Sequence, residues 1–167
     1  MDNIILIGFM GVGKGTIARA LSKKSGMFAV DTDDLIESLE NKKIKEIFAD
    51  SSEAYFRELE RKCALWLQKS VNDTIISTGG GFYKQKNIKK IGKVIYLESS
   101  FEAILERLAN HPNAKKKLAK RPLLQDIKKA KELYKQRVKE YEKIADIIIN
   151  VENRDIKKIV KEIMSKI

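Results

Sequence analysis

The sequence has a single cysteine, no long apolar run and no secretory signal pattern, and each absence argues against a class of protein. Cys63 has no partner for an intramolecular disulfide. No apolar stretch approaches the roughly 20 residues that a membrane-spanning helix needs. Asp2 directly follows Met1, without the basic segment and apolar segment of a signal peptide. We therefore expect a cytoplasmic protein that does not contact membranes.

Basic residues outnumber acidic residues by 23 to 11 in the second half of the chain, whereas the first half has 11 basic and 12 acidic residues. Residues 1–83 carry a net charge of −1 and residues 84–167 a net charge of +12, within a total of +11. Such a field suits anionic ligands and is also typical of nucleic-acid-binding proteins. Most of these lysines, such as those at 128–143, lie on predicted helices whose other face is apolar. No aromatic-rich sheet motif accompanies them, so we expect solvated helix faces and no nucleic-acid partner, with the nucleic-acid-binding alternative left open.

Segments typical of strands alternate with segments typical of helices along the whole chain. The predicted strands are residues 4–7, 28–30, 74–77, 94–97 and 147–150. The main predicted helices are residues 14–25, 34–40, 52–69, 127–144 and 155–165, with a further helix opened by a capping box of Ser99 and Glu102. This alternation predicts an α/β fold, a three-layer doubly wound parallel sheet with helices on both faces. At 167 residues with 43% hydrophobic content, we expect a single domain, 1–167.

The first predicted strand and the first predicted helix are joined by a glycine-rich segment, GFMGVGKGT at 8–16. Glycines let backbone N–H groups approach a phosphate closely, and a helix N-terminus adds positive potential. Lys14 would reach the β- and γ-phosphates of a nucleotide. This arrangement predicts a P-loop. The predicted phosphate-binding residues are Gly11, Val12, Gly13, Lys14, Gly15 and Thr16.

The P-loop departs from the usual pattern directly after its lysine. A serine or threonine normally follows the lysine and binds Mg²⁺, whereas this chain has Gly15 there and Thr16 one position later. The same Gly-Lys-Gly-Thr order occurs in adenylate kinases, so the loop remains compatible with nucleotide binding. We predict that Mg²⁺ is required and that Thr16, or a water molecule, takes the role of the missing hydroxyl.

In a parallel sheet, ligands bind beyond the carboxyl ends of the strands, and two strand ends carry informative residues. Asp31 and Asp33 follow the second strand and would face the same side if the strand conformation persisted. Such carboxylates can hold Mg²⁺ through water or accept a proton, while helix capping by Asp33 or Thr32 is an equally weighted alternative. Three glycines at 79–81 end the third strand and predict a wall that a ligand can approach closely.

Arginine is scarce, with seven arginines among 34 basic residues. Its guanidinium is a rigid fork for a carboxylate or a phosphate, which lysine cannot imitate. The four arginines expected near the site are Arg57, Arg107, Arg121 and Arg137. For each of them a surface ion pair, such as Arg57 with Glu53, is the alternative.

Six segments in this order resemble the shikimate kinases, and together they cover nearly the whole chain. They are GFMGVGKGT at 8–16, DTDDLIE at 31–37, YFRELE at 55–60, STGGG at 77–81, KRPLL at 120–124 and LYKQRVKEYEKIAD at 133–146. The resemblance implies a P-loop kinase fold with strand order 2-3-1-4-5, a substrate-binding region at about 33–61 and a lid at about 110–124. It also implies a monomer that uses ATP to phosphorylate the 3-hydroxyl of shikimate, on the route to chorismate and the aromatic amino acids.

The resemblance assigns roles to individual residues. Asp33 matches the aspartate that binds the ring hydroxyls and is the candidate base, and Asp31 matches an aspartate near Mg²⁺. Arg121 matches a lid arginine that closes over the phosphates. The remaining substrate residues are Arg57 and Arg137 for the carboxylate, and Gly79, Gly80 and Gly81 for the wall. The remaining ATP residues are Arg107, near adenine, and Arg154, in the adenine loop.

A small P-loop kinase for nucleoside monophosphates or gluconate remains the nearest alternative. The Gly-Lys-Gly-Thr order favours this alternative. Against it, the chain has no segment like the Asp-Gly-Phe-Pro-Arg of adenylate kinases. A substrate with a carboxylate also explains Arg57 and Arg137 better. The lysine-rich segment 110–120 is a further departure from the family pattern.

Overall fold

Five parallel strands form one sheet in the order β2-β3-β1-β4-β5. The strands are β1 (Asn3–Ile7), β2 (Phe28–Asp31), β3 (Thr74–Ser77), β4 (Gly92–Glu98) and β5 (Ile147–Asn150). The computed structural model describes residues 2–119 and 122–167. The α/β fold class and the strand order predicted from the sequence are both confirmed.

Helices connect the strands and cover the sheet. They are α1 (Lys14–Ser25), α2 (Thr32–Glu40), α3 (Ile44–Asp50), α4 (Glu53–Ser70), α5 (Ile88–Ile91), α6 (Phe101–Ala109), α7 (Ala114–Ala119), α8 (Ile127–Ile144) and α9 (Ile156–Lys166). Short 3₁₀ segments lie at Phe82–Lys84 and Pro122–Gln125. The segment 110–120, predicted as a loop or frayed helix, thus contains the short helix α7. Within the part of the chain that the structure describes, no helix is long and apolar enough to cross a membrane.

The main core lies around the three central strands. Ile5, Ile76 and Val94 are completely buried, as expected for parallel strands covered on both faces. A second, smaller cluster joins α2, α3 and α4 through Ile36, Ile47, Phe56 and Leu59. This cluster fixes the predicted substrate-binding region, residues 33–61, against the edge of the sheet that carries β2.

Capping of α2 by Asp33 or Thr32, the alternative to a catalytic or metal role, is wrong. Asp31 caps this helix, and its Oδ1 accepts hydrogen bonds from the backbone N–H groups of Asp33 (2.9 Å) and Asp34 (3.3 Å). The chain turns into the helix directly after Asp31, so neither Thr32 nor Asp33 is the cap. For the same reason Asp31 and Asp33 do not form the extended pair that their spacing suggested.

The predicted N-cap of α6 is also wrong, by one residue. The cap is Ser100, whose hydroxyl accepts a hydrogen bond from the backbone N–H of Ala103 at 3.1 Å. Glu152, on the loop after β5, accepts hydrogen bonds from the backbone N–H and the hydroxyl of Ser100, at 3.1 and 3.0 Å. This long-range partner selects Ser100 over the adjacent Ser99.

Candidate active site

The loop between β1 and α1 has a backbone that favours glycine. Gly11 and Gly13 have φ angles of 84° and 106°, in the left-handed region that strains other residues. Gly13 is the N-cap of α1 and provides no side-chain hydrogen bond to the helix. The first N–H groups of α1 are therefore uncapped by a side chain, which is the arrangement that binds a phosphate.

Lys14 is held inside this loop. Its side chain is 8% exposed, and its Nζ donates hydrogen bonds to the carbonyl oxygens of Gly8 (2.6 Å) and Phe9 (3.1 Å). The positive charge also acts on Asp33, in the first turn of α2. The Lys14 ammonium thus bonds to the P-loop backbone, and its charge acts to lower the pKa of the candidate base.

A cleft of about 410 Å³ opens beside the P-loop, between α6 and the loop that joins β5 to α9. Arg107 lines this cleft, and its Nη1 donates a hydrogen bond to the carbonyl of Gly11 at 3.0 Å. Its guanidinium also packs against Gly13, where an added Cβ would lie 3.1 Å from Nη2. Burial lowers the pKa of Arg107. The predicted ATP residues of the P-loop and Arg107 therefore lie together.

Arg154 lines the same cleft, but its guanidinium already binds protein groups. Nη1 donates to the carbonyl of Asn150 at 2.6 Å, and Nη2 pairs with Glu162 Oε2 at 2.7 Å. The preceding residue, Asn153, has a φ of 52° and turns the chain sharply between β5 and α9. Arg154 fixes this turn to α9, and its contact with ATP stays a prediction.

Asp33 lies near the start of α2 with a carboxyl group that is largely withdrawn from solvent. Its Oδ1 is buried without a hydrogen-bond partner among the described residues. Burial, followed by the negative charge of Asp31, raises the pKa of Asp33 from 3.8 to about 7, and Lys14 acts in the opposite direction. A carboxyl group that titrates near neutral pH has the property that a general base requires.

The two predicted metal residues, Thr16 and Asp31, both provide oxygen atoms. Thr16 lies half-buried in the first turn of α1. Asp31 caps α2 through Oδ1, while its Oδ2 accepts a hydrogen bond from Ser77 Oγ at 2.8 Å. The described residues contain no group of three or more His, Cys, Asp or Glu side chains that could hold a metal. Mg²⁺ commonly binds one or two protein oxygens together with phosphates and waters, so this pair fits its chemistry.

The three glycines after β3, Gly79, Gly80 and Gly81, form what we call the glycine wall. Each approaches a different candidate side chain. An added Cβ would lie 2.6 Å from Asp33 Oδ1 at Gly79, 2.8 Å from Arg137 Nη1 at Gly80 and 2.6 Å from Arg57 Nη1 at Gly81. Their φ angles are not left-handed, so close approach and not backbone conformation requires glycine here. The glycine wall brings together three side chains that are far apart in the sequence.

Arg137 is a buried cation with an open donor. It is 7% exposed, and its Nε has no hydrogen-bond partner among the described residues. Arg57 is more accessible, and its Nη1 and Nη2 donate to Glu60 (2.7 Å) and Glu53 (3.2 Å). The ion pair of Arg57 with Glu53, considered above as an alternative, therefore exists within the predicted site. A buried guanidinium beside a second one is suited to binding a carboxylate.

Glu60 is a site residue that the sequence analysis missed. It is 1% exposed and accepts the hydrogen bond from Arg57, while the charge of Arg137 also acts on it. Burial raises the pKa of Glu60, and the two arginines oppose this effect. Its spacing was informative, because it lies one helical turn after Arg57 on the face of α4 that carries Phe56. A carboxylate on an apolar helix face normally has a buried cationic partner.

Arg121, the predicted lid arginine, lies outside the described residues. The neighbouring parts of the predicted lid are described, and the 3₁₀ segment Pro122–Gln125 contacts both α7 and α8. The described part of the predicted lid therefore contacts the helix that carries Arg137.

Comparisons with known proteins identify one family. The family model for shikimate kinase matches residues 10–167. A shikimate kinase of Helicobacter hepaticus is 43% identical over 150 residues, which cover 90% of this chain and 87% of the relative. A shikimate kinase of Sulfurihydrogenibium is 42% identical over 174 residues, which cover 100% of this chain and 98% of the relative. The solved structure of the Acinetobacter baumannii shikimate kinase in complex with shikimate has a TM-score of 0.87 and 29% identity, covering 99% of this chain and 92% of that one. The chain belongs to the shikimate kinase family.

Proposed function

We propose that the protein transfers the γ-phosphoryl group of ATP to the 3-hydroxyl of shikimate, giving 3-phosphoshikimate and ADP. One observation carries the proposal. The carboxyl group of Asp33 and the buried guanidinium of Arg137, each with an unpaired polar atom, lie against adjacent glycines of the glycine wall. Shikimate offers hydroxyls and a carboxylate, which match these two groups in charge and hydrogen bonding. A nucleoside monophosphate has no carboxylate, and gluconate, which has one, is disfavoured by the family to which the chain belongs.

In the acceptor site, Arg137 and Arg57 bind the carboxylate of shikimate. Glu60 holds Arg57 in place. Its buried carboxylate accepts a hydrogen bond of 2.7 Å from the Arg57 guanidinium. Asp33 binds the ring hydroxyls, and the glycine wall lies against the ring. These assignments rest on geometry and on the family to which the chain belongs.

In the nucleotide site, the backbone N–H groups from Gly11 to Thr16 bind the phosphates. Arg107 lies along the base, and Arg154 supports the loop at the far side of the cleft. Thr16 and, through water, Asp31 would hold Mg²⁺, which neutralises part of the phosphate charge when it is bound. The position that usually supplies a metal ligand is Gly15, where an added Cβ would meet only Arg19 at 3.4 Å. A serine would therefore fit at position 15, so packing does not require a glycine there.

The reaction is an in-line displacement at the γ-phosphorus. Asp33 orients the acceptor hydroxyl and takes its proton, since its raised pKa makes it a stronger base than an ordinary carboxylate. Lys14 and Arg121 neutralise the negative charge on the transferring group. The lid at about 110–124 closes over the site and excludes water, which would otherwise compete as the acceptor.

The proposal is tested by measuring ADP release from ATP and Mg²⁺ with shikimate, AMP, gluconate or no acceptor in parallel reactions. We expect ADP release that depends on shikimate, together with a phosphorylated product whose phosphate is on the 3-hydroxyl. Stimulation by AMP or gluconate in place of shikimate would contradict the acceptor assignment. Equal rates with and without acceptor would show that the protein is an ATPase.

Replacing Arg57 by alanine should weaken shikimate binding by about 2 kcal/mol, or roughly thirtyfold in KM. This loss of binding free energy is small for the removal of one partner of a charged pair, because the Arg57 side chain is 37% exposed to solvent. The matched control is Arg61→Ala, one turn later on α4, where an exposed guanidinium pairs with Glu58 at 2.6 Å. This control should leave the shikimate KM unchanged. Equal KM values for the two variants and the wild type would remove Arg57 from the acceptor site.

A further inference from the structure

Tyr141 on α8 binds the backbone of the glycine wall. Its ring is completely buried, and its hydroxyl donates a hydrogen bond to the carbonyl of Gly80 at 2.7 Å. Two further tyrosines pack against the ring, Tyr83 at 4.7 Å and Tyr96 at 5.2 Å between ring centroids. These contacts fix the ring, and therefore the position of the hydroxyl.

Gly80 lies between the Tyr141 hydroxyl and the Arg137 guanidinium. Arg137 and Tyr141 are four residues apart on α8, so they share one face of the helix. A Cβ added to Gly80 would lie 2.8 Å from Arg137 Nη1 and 3.9 Å from Tyr141 Oη. Burial raises the pKa of Tyr141, while the charge of Arg137 opposes this rise. The hydroxyl therefore stays protonated at neutral pH and remains a donor.

The hydrogen bond to Gly80 determines the orientation of a whole peptide group. In a planar trans peptide the N–H of Gly81 points away from the side to which the Gly80 carbonyl points. With the carbonyl directed at Tyr141, the Gly81 N–H is directed away from α8. A run of three glycines has unusual backbone freedom, so without this bond other orientations of the 80–81 peptide become accessible.

We propose that Tyr141 is a positioning residue for the acceptor site. Its hydroxyl fixes the peptide between Gly80 and Gly81 and, with it, the spacing between the glycine wall and the Arg137 guanidinium. Tyr141 is not among the residues that line the cleft beside the P-loop. The inference rests on the proposed function only for the identity of the acceptor, shikimate.

The test is Tyr141→Phe, which removes one hydroxyl and keeps the ring. We expect the shikimate KM to rise roughly threefold to tenfold, which corresponds to the loss of one hydrogen bond. The kcat and the ATP KM should change by less than about twofold. The matched control is Tyr134→Phe, on the same helix, whose hydroxyl donates to the backbone carbonyl of Ser99 at 2.6 Å. This control loses the same kind of bond but should keep the wild-type shikimate KM.

The midpoint of thermal unfolding, measured on the same samples, separates positioning from stability. If both variants lose stability and neither changes the shikimate KM, Tyr141 only stabilises the fold and the inference is wrong. If Tyr141→Phe lowers kcat or weakens ATP binding as much as it weakens shikimate binding, the inference is also wrong. Wild-type protein that does not phosphorylate shikimate would instead contradict the proposed function. Shikimate titrated calorimetrically into wild type and Tyr141→Phe without ATP then tests the acceptor site on its own.

Discussion

Replacing Lys14 by methionine should lower kcat with shikimate by about a thousandfold or more while the protein stays folded. Nζ is anchored by the carbonyls of Gly8 and Phe9, so its charge is fixed inside the phosphate loop before any substrate binds. Such a preorganised charge stabilises the transition state without reorganisation. Methionine keeps an unbranched apolar side chain in the buried position and removes only the ammonium group. Steady-state rates at saturating ATP and shikimate, with circular dichroism as the check on folding, measure this effect.

Lys24→Met is the control for the lysine at the P-loop. Lys24 is an exposed basic residue in the last turn of the same helix, α1, so the variant removes an equal charge at the opposite end. It should keep kcat within about twofold of the wild type, since exposed charges contribute little. Near-normal turnover by Lys14→Met would contradict the role of Lys14 and the P-loop assignment with it.

Replacing Asp33 by asparagine should lower kcat by about a hundredfold to ten-thousandfold, which is the range for loss of a general base. The amide keeps the size and shape that fit against Gly79 but cannot take a proton from the acceptor hydroxyl. The neighbouring Asp34→Asn removes the same charge from an exposed position and should keep kcat within about twofold. If Asp33→Asn raised only the shikimate KM, Asp33 would be a binding residue and not the base.

The same Asp33 variant should change how stability depends on pH. The folded pKa of about 7 lies above the ordinary 3.8, so the folded protein keeps the Asp33 proton after the unfolded chain has lost it. The stabilisation from this proton is complete below about pH 4 and disappears as pH rises through 7. Relative to wild type, the free energy of unfolding of Asp33→Asn should therefore rise by about 2–4 kcal/mol between pH 4 and pH 8. Urea unfolding in buffer without divalent cations measures this difference.

The parts of the fold and of the site that are formed by residues adjacent in the sequence could be predicted from the sequence. The P-loop is one such part, because its strand, glycines, lysine and helix follow each other from Asn3 to Ser25. The buried strands are another, because strands covered on both faces consist almost entirely of apolar residues. The order of the strands required the family resemblance, since no local pattern encodes which strands are neighbours.

The glycine wall was predicted as a wall, but its three partners were not predictable from its own sequence. Which side chain each glycine meets depends on how α2, α4 and α8 pack, and those helices begin up to 95 residues apart in the chain. Tyr141 was missed for the same reason, because Gly80, which accepts its hydrogen bond, is 61 residues away in the sequence. Glu60 was missed although its partner Arg57 is only one helical turn away. The wrong N-cap at Ser99 is a small example, since the distant Glu152 decides between two adjacent serines.

Arg137 and Tyr141 lie on one helix, α8. Local unfolding of α8 should therefore affect the binding of the acceptor more than the binding of the nucleotide. The proposed nucleotide half is built on β1, α1, α6 and the loop between β5 and α9, whereas the proposed acceptor half takes Arg137 from α8. An opening of α8 would release both the guanidinium and the glycine wall. Acceptor binding should in turn favour the docked helix, because a ligand stabilises the state that binds it. Amide protons of α8 would then exchange more slowly with solvent deuterium when shikimate is bound, whereas those of α1 would respond mainly to nucleotide.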